Sequence, residues 1–213
     1  MKLTKNFYAS LLILLTVSFS GQASTIPVAG KQFIPLAKEI KDAPPVVEFF
    51  SFYCPACSKF NSPYKVSQKI QKKLPAGVKV EKFHTDFMGK MGKELTEAWS
   101  IAKALGIEDK IEEALFEAVL EKHSIETEND IKTVFVKSGI EPDTYDAAKR
   151  SFIVKSLTER QQKAALEFNI SGTPSFYING KYLIKNNGIK DTSIDGYGEE
   201  FANVVLQLLK VSH

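Results

Sequence analysis

The chain has 213 residues and a mass of 23.7 kDa, with 44% hydrophobic and 25% charged residues. This composition is typical of globular domains and excludes disordered, collagen-like and low-complexity proteins. The formal net charge of +3 is too small and too dispersed for a nucleic-acid-binding surface, so no nucleic acid partner is expected. Cys54 and Cys57 are the only two cysteines, too few for a disulfide-stapled scaffold or a four-cysteine zinc site.

Residues 1–23 have the pattern of a secretory signal peptide. Two lysines form a cationic head, a short apolar stretch covers 7–19, and Gly21-Gln22-Ala23 supplies small residues where signal peptidase reads the chain. The apolar stretch is shorter than the roughly 20 residues of a membrane-spanning helix, so we predict cleavage after Ala23 rather than an uncleaved anchor. Cleavage would leave a soluble protein with a net charge of +1 in an oxidising compartment outside the cytoplasm.

Three regions of the mature chain are predicted to form strands. Val46–Phe52 is a β-branched and aromatic run typical of a strand that is buried on both faces. Val78–His84 alternates with period two, as a half-buried strand does. Ser175–Ile178 and Lys181–Ile184 flank Asn179-Gly180, which is the pattern of a hairpin with a tight turn.

Apolar residues at helical spacing predict a block of helices between the second and third strand regions. Four helices are expected there. The first covers Leu95–Leu105 and ends at Gly106, and the second covers Ile111–Val119. The third begins at the capping box of Thr127 and Asp130, and the fourth begins at about Asp143 and continues with a bend towards Phe168. The order of elements predicts an α/β sheet with an all-helical insertion.

The motif Cys54-Pro55-Ala56-Cys57 directly follows the first predicted strand, where a helix through Phe60, Tyr64 and Ile70 would begin. A cysteine at a helix N-terminus faces free backbone N–H groups and the positive end of the helix dipole, which stabilise a thiolate. Cys57 lies one turn further in and is expected to be less exposed. Cys54 is therefore the predicted nucleophile and Cys57 the predicted resolving thiol.

Other roles for the two cysteines fit the sequence less well. A zinc site would need two more ligands, but His84, His123 and His213 lie far apart without metal-ligand spacing. Covalent haem attachment would need a histidine after the second cysteine, where Ser58 stands. A purely structural disulfide stays open, although so short a loop restricts the unfolded chain little.

Several segments together resemble the DsbA family of bacterial periplasmic thiol:disulfide oxidoreductases, and they span nearly the whole mature chain. The matching segments are Glu48–Cys57, Lys72–Pro75, Asp86–Gly89, Ala104–Lys110 and Val154–Leu157. The resemblance implies a thioredoxin fold over 24–87 and 154–213, interrupted by a helical domain over 88–153.

The same resemblance implies what the protein does. It would act as a periplasmic oxidase that donates its Cys54–Cys57 disulfide to newly secreted proteins and is reoxidised by a DsbB-type quinone-linked membrane partner. It would need no cofactor or metal beyond this disulfide and would work as a monomer. A disulfide isomerase or reductase, and a chaperone that uses the same groove, are the competing functions.

The resemblance also assigns supporting residues. Glu48 matches the buried acid of the family and Lys82 its basic companion, a pair that serves either proton transfer or structure. Thr173-Pro174 matches the cis-proline loop, which would face Cys54 and bind an extended substrate. Two positions depart from the family pattern: Ala56 stands where a histidine supports the thiolate, and Thr173, whose hydroxyl could contact a sulfur, replaces a frequent valine.

Overall fold

The computed structural model describes residues 26–211, so the predicted signal peptide and its cleavage site lie outside the described residues. Five strands form one mixed sheet in the order β1-β5-β4-β2-β3. The strands are β1 (Phe33–Pro35), β2 (Val46–Phe50), β3 (Val80–His84), β4 (Ser175–Ile178) and β5 (Tyr182–Ile184). The three predicted strand regions are confirmed with slightly shorter bounds, and the short edge strand β1 was not predicted.

Strand β2 lies inside the sheet, parallel to β3 and antiparallel to β4, and all five of its residues are buried. Its register places Glu48 directly opposite Lys82 of β3. The β4–β5 hairpin turns at Asn179 and Gly180, whose φ angles of 50° and 62° confirm the tight Asn-Gly turn that the sequence predicts. A Cβ on Gly180 would lie 2.2 Å from the carbonyl oxygen of Ile40, so this close approach also requires glycine.

Helices cover both faces of the sheet and fill the segment between β3 and β4. Their bounds are α1 (Pro55–Asn61), α2 (Val66–Lys73), α3 (Gly92–Leu105), α4 (Glu108–Phe116), α5 (Glu128–Lys137), α6 (Pro142–Lys149), α7 (Phe152–Glu167) and α8 (Ile194–Val211). A short π-helical segment, Glu117–Glu121, extends α4. Among residues 26–211, no helix is long and apolar enough to cross a membrane.

Two of the predicted helices are each divided in the structure. The helix expected from the cysteine motif through Ile70 breaks at Ser62-Pro63, because proline lacks the N–H that a continuing helix needs. The helix expected from Asp143 to Phe168 is α6 and α7, and Ser151 begins α7 by accepting a hydrogen bond from the Val154 amide at 3.2 Å.

The local signals at the other helix ends are confirmed. Gly106, with φ 66°, ends α3 in the left-handed conformation. Thr127 and Asp130 form the expected capping box at the start of α5.

The core divides into three apolar clusters, two of which lie on opposite faces of the sheet. One lies between the sheet and α2 and α8, and includes Phe176 and Phe201. The second packs Phe49 against the end of α7. Another joins the end of β2 to α3, α4 and α5, and it contains both cysteines together with Phe52 and Trp99. The redox motif is therefore packed against the helical segment as well as the sheet.

Candidate active site

Cys54 is the N-cap of α1, and Pro55 occupies the first helical position, which proline favours. The two cysteines are joined by a disulfide with Cα atoms 5.2 Å apart. The backbone N–H of Cys57 points at the Sγ of Cys54 with an N···S distance of 3.0 Å. When the disulfide opens, this amide is in place to stabilise a thiolate on Cys54.

Exposure does not distinguish the two cysteines as the sequence led us to expect. Cys54 is 3% exposed and Cys57 is 2% exposed, because both pack against the helical cluster. The neighbouring Pro55 and Ala56 are exposed, so solvent reaches the motif from this side. What separates the two sulfurs is the polar backbone around the Sγ of Cys54.

The Thr173–Pro174 peptide bond is cis, as the resemblance implies. The carbonyl oxygen of Thr173 lies 3.4 Å from the Sγ of Cys54, so this loop faces the predicted nucleophile. The hydroxyl of Thr173 donates to the Sδ of Met88 at 3.4 Å, so the sulfur it contacts is not a cysteine sulfur. On the other side of the loop, the amide of Asn186 donates to the Pro174 carbonyl at 2.8 Å.

Glu48 and Lys82 form the ion pair that the resemblance implies, with 3.3 Å between Oε2 and Nζ. A second carboxylate, that of Glu112 on α4, contacts the same ammonium more closely. Ser67 donates a hydrogen bond to Glu48, so this acid has two donors. The site thus holds two buried acids and one partly buried lysine, which we call the Lys82 triad.

The charges of the Lys82 triad are strongly coupled. Burial lowers the pKa of Lys82, but the charges and hydrogen bonds of Glu112 and Glu48 outweigh burial and raise it overall. Burial raises the pKa of Glu112, with Glu48 adding to this effect and Lys82 opposing it. Lys82 therefore stays charged, and Glu112 is an acid that takes up a proton more readily than an exposed one.

His84 at the end of β3 lies beside the motif and is 1% exposed. Burial lowers its pKa to about 3, so the ring is neutral near pH 7. Its Nε2 accepts a hydrogen bond from the Phe52 amide at 3.1 Å, two residues before Cys54. His123 is exposed, and His213 lies outside the described residues. Among residues 26–211, no group of three or more His, Cys, Asp or Glu side chains could hold a metal ion.

Comparison with known proteins identifies the arrangement. The DSBA-like thioredoxin domain model matches residues 45–193. The chain is 44% identical over 198 residues to the thiol:disulfide interchange protein DsbA of Yersinia pestis, which covers 93% of this chain and 95% of that one. The chain belongs to the DsbA family. It is a thiol:disulfide oxidoreductase, and its redox group is the Cys54–Cys57 pair rather than a cofactor.

Solved structures of DsbA proteins agree with this fold. The crystal structure of DsbA from Proteus mirabilis superposes with a TM-score of 0.84 at 45% identity, covering 88% of this chain and 98% of that one. A cysteine-to-serine variant of the same protein, with the non-covalently bound peptide PWATCDS, superposes with a TM-score of 0.82 at 44% identity over 86% of this chain and 98% of that one.

Glu112 and His84 are among the site residues that the sequence does not identify as participants. Glu112 lies one helical turn from Leu115 and Glu108, and a carboxylate beside an apolar stripe is a signal that it has a buried partner. His84 ends a predicted strand, but nothing in its local sequence indicates the Phe52 amide as its partner.

Proposed function

We propose that this DsbA-family protein oxidises cysteine pairs of newly secreted proteins in the periplasm. Cys54 is the proposed nucleophilic sulfur and Cys57 the resolving one. A DsbB-type quinone-linked membrane protein then restores the disulfide. The signal-peptide pattern of residues 1–23 supports the periplasmic location.

One observation carries the assignment of roles. The Sγ of Cys54 has the Cys57 N–H at 3.0 Å and the Thr173 carbonyl oxygen at 3.4 Å. The first group can stabilise a thiolate, and the second belongs to a loop whose backbone can bind an extended peptide. When a substrate thiolate attacks Cys54, the substrate thus lies along the loop, and the electron pair of the broken disulfide goes to Cys57.

The reaction balances without a further redox reagent. A substrate thiolate attacks the Sγ of Cys54, the Cys54–Cys57 bond breaks, and its electron pair goes to Cys57, which takes up a proton. The second substrate thiolate then attacks the substrate sulfur of the mixed disulfide. Cys54 leaves as a thiolate that the Cys57 amide stabilises. The substrate loses two electrons, and the protein gains them as a dithiol.

Glu48 is the proposed source of the proton that Cys57 needs. It is 3% exposed, and its Oε2 accepts a hydrogen bond from Ser67 and contacts Lys82. Carboxyl side chains serve as general acids and bases in proton transfer, and Cys57, at 2% exposed, has little access to bulk water. The competing role is a structural ion pair, which predicts unchanged turnover in Glu48→Gln.

The peptide complex of the Proteus mirabilis relative supports an unfolded or partly folded protein substrate. We propose that such a segment binds along the Gly172–Thr173 backbone, with its cysteine at Cys54.

We further propose that residues 88–153 form a helical domain inserted into a thioredoxin-like domain of 24–87 and 154–213. The boundary between residues 153 and 154 falls in the first turn of α7. The protein is proposed to act as a monomer.

Single-turnover oxidation of a reduced two-cysteine protein tests the proposal. The oxidised wild-type chain should form one substrate disulfide for each protein molecule reduced, and quinone-containing membrane vesicles should restore its disulfide. The Cys54→Ala, Cys57→Ala double variant should do neither and should be inactive in cells, whereas a chaperone role predicts that this variant keeps full activity in cells. Rapid reshuffling of wrong disulfides with little net oxidation would indicate an isomerase instead.

A further inference from the structure

His84 makes a hydrogen bond at each ring nitrogen, and these bonds define its tautomer. The Thr96 hydroxyl donates to the Gly92 carbonyl at 2.9 Å, so its oxygen is free to accept from the Nδ1 of His84 at 2.8 Å. Nδ1 therefore carries the hydrogen. Nε2 has a lone pair for the Phe52 amide at 3.1 Å.

The same residue connects the sheet to α3 and α7. The backbone N–H of His84 donates to the Oε1 of Gln161 on α7 at 2.8 Å. The Nε2 of Gln161 then donates to the Thr96 carbonyl at 3.1 Å and to the Ser100 hydroxyl at 2.7 Å, both on α3. All four side chains are buried, so this network is screened from water.

The Phe52 amide belongs to the turn that delivers Cys54 to the start of α1. In this turn the Tyr53 amide donates to the Ser51 hydroxyl at 3.2 Å and the Cys54 amide to the Ser51 carbonyl at 3.0 Å. Phe52 is fully buried and its ring stacks on the His84 ring, with centroids 5.0 Å apart and planes inclined by 25°. The backbone amide of Phe52 has its partner outside the turn, the Nε2 of His84.

We propose that His84 is a positioning residue of the redox site: its Nε2 fixes the Ser51–Cys54 turn, and its Nδ1 and backbone tie that turn to α3 and α7. The inference rests on the proposed role of Cys54 as nucleophile. It adds that α3 and α7, through Thr96 and Gln161, hold the Sγ of Cys54 where the Cys57 amide can stabilise a thiolate. The groups that face the ring are the aromatic rings of Phe50 and Phe52 and the Thr96 hydroxyl.

A matched pair of amide variants separates the two ring nitrogens. The side-chain amide of His84→Gln reaches the position of Nε2 and can accept from Phe52, whereas that of His84→Asn reaches only the position of Nδ1. Each reduced variant is alkylated over a range of pH, and the label on each cysteine is quantified by mass spectrometry. The redox equilibrium with glutathione is measured on the same samples.

We expect His84→Asn to lower the Cys54 alkylation rate at mildly acidic pH by about fivefold, the change that corresponds to one neutral hydrogen bond. Its apparent Cys54 pKa should rise, and its equilibrium with glutathione should shift towards the disulfide. His84→Gln keeps an acceptor for the Phe52 amide but loses the donor to Thr96, so its rate and equilibrium should change in the same directions but less than those of His84→Asn. Equal rates and equilibria in the two variants would overturn the proposal. Faster labelling of Cys57 than Cys54 in the wild type would instead contradict the proposed function.

A second pair tests the other end of the network if His84→Asn does not fold. Thr96→Val removes the acceptor for Nδ1, whereas Thr96→Ser keeps it. The valine variant should slow Cys54 alkylation and shift the glutathione equilibrium in the same directions, and the serine variant should behave like wild type. Wild-type values in Thr96→Val would overturn the coupling of the turn to α3.

Discussion

The buried, neutral state of His84 predicts a particular dependence of stability on pH. Burial lowers the pKa of His84 from 6.5 to about 3 in the folded protein. Between these values the unfolded chain binds a proton at this site and the folded chain does not, so the free energy of unfolding falls as the pH falls below 6.5. The loss has a slope near 1.4 kcal/mol per pH unit and reaches about 2 kcal/mol between pH 7 and pH 5.

Urea unfolding of the oxidised protein at pH 7 and at pH 5 measures this effect, with His84→Gln as the matched control. The glutamine variant keeps an acceptor for the Phe52 amide but cannot titrate. The wild type should lose about 2 kcal/mol more of its free energy of unfolding than the variant does over this pH step. Equal losses in the two proteins would refute the claim that His84 is held neutral, because all other titrating groups are common to both.

Three further changes probe the redox site. In Glu112→Gln, the free energy of unfolding should decline less than in the wild type as the pH rises from 5 to 8, because burial raises the pKa of Glu112 and its ionisation at higher pH costs stability. Urea unfolding over this pH range measures the difference, and parallel curves for the two proteins would contradict the prediction. In Ala56→His, a cation near Cys54 should lower the pKa of the Cys54 thiol and raise the reduction potential of the Cys54–Cys57 pair by roughly 30 mV, equivalent to about 1.4 kcal/mol. The potential is measured by equilibration with glutathione, and an unchanged or more negative value would argue against this. In Glu48→Gln, single-turnover oxidation near pH 7 should slow by about 100-fold or more, with little change in the free energy of unfolding. A wild-type rate would leave only the structural role.

The features that the sequence predicts correctly depend on neighbouring residues. The Asn179-Gly180 turn and the Thr127–Asp130 capping box are each built within a few residues, so their chemistry can be read directly. The helix break at Pro63 had an equally local signal, and our prediction gave more weight to the apolar spacing through Tyr64 than to the missing N–H of proline.

The missed parts of the site depend on tertiary contacts. Glu112 meets Lys82 across 30 residues, and His84 meets Phe52 across 32. Only the packing of α4 against the sheet, and the register of β2 with β3, decide which buried polar groups become partners. The resemblance to the DsbA family supplied Glu48 and Lys82, but it carried no information on the second acid.

The identity of the first cysteine to bond with substrate tests the central claim most directly. Oxidised protein is mixed with a reduced two-cysteine peptide, quenched with acid after milliseconds, and digested for mass spectrometry of the mixed disulfide. We predict that the peptide is attached to Cys54 and that Cys57 is present as a free thiol. A peptide attached mainly to Cys57, or oxidised peptide formed while the Cys54–Cys57 bond stays intact, would contradict the account.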